Sequence, residues 1–311
     1  DLVSFQHPAL RRLNGWLREH RFRGRSFERE KPAGALRVLA VGSSSTFGHG
    51  VPEETGLDYP TQLEALLAER WPGVTVQVVN GAVPGSSSAA SLRFLREVLL
   101  GFEPDVVIVC FAFNDAYHAT QADEDRYLER ITRPGYERAA VEDAEAAELL
   151  AGKLRLKRLL ALFEARPGPT LPLWEQVLAE QGAGGPQGDG RADPGERTPP
   201  ERFASTLRAY ARLCAERGAT RVLVKEPFRG DPPRIWKDEF YAVIDAVGAE
   251  SGAAVLDPRP ALAAQGGAAL FLDEVHPAPA GHAVIARELL PLVARLLEPR
   301  AEALRRSTPP R

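Results

Sequence analysis

Asp105-Val106-Val107-Ile108-Val109-Cys110-Phe111 is an almost unbroken apolar run that gives way at once to Ala112-Phe113-Asn114-Asp115. A strand covered on one face alternates apolar with polar residues, whereas one covered on both faces does not. Seven residues is strand length and is short for a buried helix. The run therefore predicts an inner strand of a parallel sheet. Leu36–Val41 and Val74–Val79 precede it with the same character, and Thr220–Lys225 and the short Ala253–Leu256 follow it. Helical periodicity fills the intervals. Tyr59–Arg70 carries Leu63, Leu66 and Leu67 on one face, and similar patterns cover Ser91–Leu100, Pro200–Arg217, Ile235–Ser251 and about Ala278–Leu297. The last is expected to end before Pro299, since proline cannot continue a helix without losing a hydrogen bond. Strands alternating with helices predict an α/β fold: five parallel strands, helices on both faces, right-handed crossovers.

The chain has 311 residues, a length that one α/β unit can use. The division read from it has four parts. A basic extension covers residues 1–35 and the core unit 36–297, with an insert at 116–200 and a basic tail at 298–311. Within the insert, an Ala-rich acidic stretch, Val141–Phe163, reads as a helical cap. Gly182–Pro200, rich in Gly, Pro and charge, reads as a mobile loop. The tail is expected to fray. Residues 1–37 hold nine Lys/Arg against four acids. That excess suits a solvated basic face or a stretch beside a removed membrane anchor.

Apolar residues at 44% and charged residues at 26% exclude a chain that is disordered throughout. No apolar run is long enough to span a bilayer. A net charge of −3 argues against a general nucleic-acid binder. Two cysteines, Cys110 and Cys214, exclude a disulfide framework and a Cys-rich zinc site, and both read as buried free thiols. The chain starts at Asp1 and has no Met, which reads as a processed or trimmed protein. An extracytoplasmic location is the expectation if an anchor or signal has been removed.

The chemistry gathers where strands end. Leu36–Val41 runs into Gly42-Ser43-Ser44-Ser45-Thr46-Phe47-Gly48. In a parallel sheet, ligands bind beyond the carboxyl ends of the strands. By itself such a turn suits a helix cap or a phosphate cradle equally well, but it lacks the lysine of a P-loop and is not G-x-S-x-G. Val74–Val79 ends at Asn80-Gly81-Ala82-Val83-Pro84-Gly85-Ser86. The chain holds three Asn, and Asn80 and Asn114 both follow strands directly. Asn80 suits either a turn or a donor role, while Asn114 brings an amide to the edge that carries Ser44. Near the C-terminus stands Asp273-Glu274-Val275-His276-Pro277. An Asp three residues before a His in a tight loop can orient the ring through Nδ1 and leave Nε2 for a serine, though Asp-x-x-His alone suits a helix cap with a surface His equally well. His282, inside the last helical pattern, reads as structural.

These four segments together resemble the SGNH (GDSL) hydrolase family. Gly42-Ser43-Ser44-Ser45-Thr46 is similar to its G-D-S-x-T block, Asn80 through Gly85 to its second block, Ala112-Phe113-Asn114-Asp115 to G-x-N-D, and Asp273–Pro277 to D-x-x-H-P in full. The resemblance covers roughly residues 36–115 and 200–297. It implies a three-layer, flavodoxin-like α/β/α fold and a serine ester hydrolase. It further implies Ser44 as nucleophile, Asp273 and His276 completing a triad, and an oxyanion hole of Ser44, Gly85 and Asn114. No metal or organic cofactor is called for. Two departures stand out: Ser43 replaces the motif's Asp, and Ala112 replaces its Gly, where the methyl is expected to crowd the pocket or tilt Asn114.

The expected substrate is a small-molecule or carbohydrate ester, an acetylated sugar for instance. An acyltransferase with the same triad acting on a cell-envelope polysaccharide is a second reading, and an inactive carbohydrate-binding module a third. Other polar residues have plainer readings. His49 and His118 follow the first and third blocks and could line the pocket, but read as exposed loop histidines; Lys225-Glu226-Pro227 could face the site, but reads as a solvated strand end. Arg229 and Trp236 are weak candidates for contact with a sugar.

Overall fold

The computed structural model describes residues 22–23, 27–84, 86–116, 198–230 and 239–307. Five strands form one parallel sheet: β1 (Ala35–Gly42), β2 (Thr75–Asn80), β3 (Val106–Phe111), β4 (Thr220–Lys225) and β5 (Ala254–Leu256), in the order β2-β1-β3-β4-β5. The strand order reverses at β1, whose neighbours are β2 and β3. A crevice opens at the carboxyl edge of such a switch point.

The unbroken apolar runs find their cause in this sheet. Along β3, Val107, Val109 and Phe111 belong to one core cluster, and Val106, Ile108 and Cys110 to the other. Along β1, Leu39 and Val41 face the first cluster while Leu36, Val38 and Ala40 face the second. The first layer is completed by α3 (Ser88–Glu97), α5 (Pro200–Glu216) and α6 (Glu239–Ser251), through Phe94, Phe203, Leu207 and Ile244. The second layer is completed by α2 (Tyr59–Arg70), α7 (Arg259–Gln265) and α8 (Pro279–Ser307), through Leu63, Leu67, Trp71, Leu262 and Leu289. Two further helices, α1 (Ser44–Phe47) and α4 (Phe113–Ala116), are single turns directly after β1 and β3. The three-layer α/β/α fold is the expected one.

Two expectations about the fold need correction. Helix α8 does not stop before Pro299 but runs to Ser307, through both Pro291 and Pro299. Each proline removes a backbone donor, and tertiary contacts offset the loss. Leu297 and Ala301 are buried, Leu304 packs against the second core cluster, and Arg300 reaches Asp105 and the Gly218 carbonyl. The stretch expected to fray is therefore helical as far as Ser307. The described part of the basic extension is not a solvated face either. Phe22 and Phe27 enter the core, and the buried Arg23 guanidinium donates to Asp58 (3.3 Å) and to the Val51 carbonyl (2.5 Å).

The stretch Val141–Phe163 expected to be a helical cap, most of Gly182–Pro200, and His118 and Trp236 lie outside the described residues. Among those described, the segment on either side is joined: the Thr198 N–H donates to the Asp115 carbonyl at 2.8 Å. Cys110 and Cys214 are buried free thiols, as expected. Burial raises the Cys110 thiol well above its usual range and pushes Cys214 up to about 12.

Candidate active site

Ser44 follows β1 as the first residue of α1. Ser43 before it is extended (φ −96°, ψ −155°), and Gly48 after it takes a left-handed conformation at φ +84°. A side chain at Gly48 would be strained there and would meet the Asp58 Cβ at 2.8 Å, so glycine is required to close this turn. The turn rests on a buried polar layer. The Asn80 side chain donates to the carbonyls of Thr46 and Phe47 and to Asp58, each at 3.3 Å. Asn80 is thus a structural brace, one of the two roles open to it. His282 lies in the same layer. Its Nδ1 accepts the Tyr59 N–H at 3.2 Å, and its ring stacks on Tyr59. Burial, with the nearby Arg23 and His276, brings the His282 pKa down to about 3, so the ring is neutral.

The loop before α8 delivers the acid and the base. It is pinched by the Phe271–Pro277 bridge, with the Leu272 N–H donating to the His276 carbonyl at 2.8 Å and Ala278 to Leu270 at 2.8 Å. Inside this pinch the Asp273 Oδ1 accepts the N–H groups of Val275 and His276, both at 2.9 Å. Its Oδ2 lies 2.6 Å from His276 Nδ1, and His276 Nε2 lies 2.8 Å from Ser44 Oγ. Partial burial raises the Asp273 pKa, but bonds from the ring and the two backbone donors outweigh that and set it at about 2. Asp273 is therefore a carboxylate at any ordinary pH. Serine, imidazole and carboxylate form one continuous chain of hydrogen bonds, the arrangement that lets a hydroxyl lose its proton as it attacks.

Two donors were expected beside this chain. Asn114 sits in α4 and spends one amide hydrogen on the Ser86 carbonyl at 3.1 Å, which leaves its second for another acceptor. Gly85 lies outside the described residues, but its neighbours are fastened at this edge. Val83 donates to the Gly42 carbonyl at 2.9 Å, and Ser88 donates its N–H and hydroxyl to the buried Asp115. Ala112 does not intrude on the cleft: it is a member of the first core cluster. Nor does its position need glycine, since Glu103 alone among described non-glycine residues has a positive φ.

Two residues given plainer readings belong to the site. The His49 ring lies 4.7 Å from that of His276, and its pKa is lowered by burial and by the neighbouring ring. Glu226 is not at a solvated strand end but 2% exposed, with its carboxylate beneath the nucleophile turn. An acid directly after the predicted strand Thr220–Lys225, on the sheet edge where Ser43–Ser45 also follow a strand, is the signal that would have found it. Arg229 has an exposed side chain, while its N–H donates to the Glu274 carbonyl at 2.7 Å and so ties the loop after β4 to the acid–base loop.

A family model described as the GDSL-like lipase/acylhydrolase family matches residues 40–284. A search of curated proteins returned no match to the chain. Among solved structures, LAE5, an alpha/beta hydrolase enzyme from the metagenome of Lake Arreo, Spain, shares 18% identity. It covers 84% of this chain and 97% of its own, with a TM-score of 0.51, a likeness of fold. TesA gives 19% identity, coverage of 85% and 99%, and a TM-score of 0.49. Axe2, an acetylxylan esterase from Geobacillus stearothermophilus, gives 17%, 86% and 96%, and 0.48.

Proposed function

Because this chain belongs to the GDSL-like lipase/acylhydrolase family and is a carboxylic ester hydrolase, we propose that it cleaves its ester through an acyl-enzyme on Ser44. The observation that carries this reading is the Asp273–His276–Ser44 chain, with contacts of 2.6 and 2.8 Å. In the first step Ser44 Oγ attacks the acyl carbonyl while His276 Nε2 takes its proton. The imidazolium formed is stabilised by Asp273, and it returns that proton to the departing alcohol oxygen. Water then attacks the acyl-enzyme with His276 again as base, which releases the acid and regenerates Ser44. As each tetrahedral centre forms, negative charge grows on the former carbonyl oxygen. The backbone N–H groups of Ser44 and Gly85 and the free amide hydrogen of Asn114 are assigned to it, each donor contributing on the order of 3 kcal/mol.

The substrate assigned is a short acyl ester, such as acetate, of a polar alcohol such as a carbohydrate hydroxyl. Support comes from the rim, where His49 and Arg229 are exposed and the Asp273 side chain is 43% exposed. Residues 117–197 leave and rejoin the fold at Asp115 and Thr198, and we assign them to the choice of substrate.

The test uses nitrophenyl esters of increasing acyl length with a chelator present. Acetate and butyrate are turned over best, and Ser44→Ala abolishes nearly all of the rate. Wild-type turnover by Ser44→Ala would refute the acyl-enzyme. Product that forms only when an alcohol acceptor is added would make the protein a transferase.

A further inference from the structure

The β1–β3 ladder ends at Gly42 opposite Cys110, and the β3–β4 ladder at Phe111 opposite Lys225. Ser43–Ser45 and Ala112–Asn114 therefore stand beyond the last rungs, where the sheet no longer fixes their spacing. Glu226, the first residue past β4, occupies that gap. Its Oε1 accepts the hydroxyls of Ser43 (2.8 Å) and Ser45, the two residues flanking Ser44. Its Oε2 accepts the backbone N–H groups of Ala112 (2.9 Å) and Phe113 (2.7 Å), directly before Asn114. Its own carbonyl accepts the Tyr241 hydroxyl at 2.6 Å, which fastens it to α6.

Resting on the acyl-enzyme reading above, we infer that Glu226 is a positioning residue: its carboxylate sets the distance and angle between the Ser44 nucleophile and the Asn114 donor. Four donors converge on two oxygens, and that is what makes burying a carboxylate tolerable. The same geometry accounts for serine at position 43. An aspartate there would place a second carboxylate about as close to Glu226 as the Ser43 hydroxyl now is, and two buried carboxylates at hydrogen-bond range repel unless one is protonated. Ser43 and Ser45 donate instead. A displacement of about 1 Å between reacting groups can lower turnover on the order of 100-fold, so a side chain that bridges the two turns acts on rate and not only on folding.

The test compares the wild type with Ser44→Ala, Glu226→Ala and Glu226→Gln. A fluorophosphonate that reacts with the serine counts working sites, and nitrophenyl acetate gives kcat per counted site and KM. Glu226→Ala is expected to lower kcat per site on the order of 100-fold and to slow fluorophosphonate labelling in parallel, with KM within about 2-fold. Glutamine can turn its oxygen to the two N–H groups and its amide to the two hydroxyls, so Glu226→Gln is expected to stay within about 5-fold. A merely structural role would reduce the number of working sites and leave kcat per site unchanged. That result overturns the inference, as does equal damage from Gln and Ala. If Glu226→Ala does not fold, the Ser43→Ala/Ser45→Ala pair removes two of the four donors. It is expected to lower kcat per site about 10-fold, and wild-type turnover from the pair overturns the inference. A dead Ser44→Ala beside an unimpaired Glu226→Ala refutes this inference alone, whereas an active Ser44→Ala removes its premise.

Discussion

Acidification should destabilise this protein through one buried ring. His282 is fully buried, holds the first N–H of α2 on Nδ1, and has a folded pKa of about 3 against 6.5 for an exposed histidine. Below pH 6.5 the unfolded chain carries a proton on this residue that the native state refuses. Stability therefore falls as pH falls, from about 6.5 down to about 3, with a limiting slope of about 1.4 kcal/mol per pH unit. Between pH 7.5 and pH 5 the loss from this residue is about 2 kcal/mol, which for a chain of 311 residues is about 3 °C in melting temperature. Asp273 acts in the same direction but only at lower pH, because its pKa is lowered from 3.8 to about 2. His49, whose pKa is also lowered, acts in the same direction below about pH 6.5. Both are common to wild type and variant. The measurement is the melting temperature of wild type and His282→Gln at half-unit steps from pH 7.5 to 5. Glutamine can still accept the Tyr59 N–H but does not titrate, so the variant starts lower and its curve is flatter by about 2 kcal/mol. Parallel curves would refute the buried neutral ring.

Two further outcomes follow from the geometry. Asp273→Asn removes the charge that orients and stabilises the His276 ring, and turnover of nitrophenyl acetate should fall by up to about 10⁴-fold with little change in melting temperature; a loss under 10-fold would show that the carboxylate is not needed. Cys110 and Cys214, both buried and with thiols held well above their usual pKa, should be silent to a thiol-reactive disulfide dye in native protein at pH 8 and should both react in denaturant. Fast reaction of either in the native state would mean that the core opens.

Much of the architecture could be read along the chain, because the strands announce themselves locally. The six apolar residues at 106–111 need no partner to be recognised, and the five-residue Asp273–Pro277 segment carries acid, base and turn within one loop. What escaped depends on long-range pairing. Glu226 looks like the end of a solvated strand until Ser43, Ser45, Ala112 and Phe113 are brought around it from more than 100 positions away. Helix α8 continues past Pro299 because Ala301 and Leu304 find cover, a fact of packing that overrides local propensity. Arg23 lies in a basic run whose composition suggests exposure, and the Asp58 carboxylate that buries it is supplied by the cap of α2.

The hydrogen bond from Thr198 to Asp115 has a wider consequence. It brings the two described flanks of residues 117–197 together immediately after the Asn114 amide and outside every strand pairing. A graft placed after the buried Ala116 disturbs no rung of the sheet. Loop-closure entropy changes by only about 0.6 kcal/mol for each doubling of loop length, so segments of very different size are nearly interchangeable there. The length of chain between these anchors can thus change at little closure cost, while the Ser44 turn and the Asp273–His276 loop keep contacts of their own.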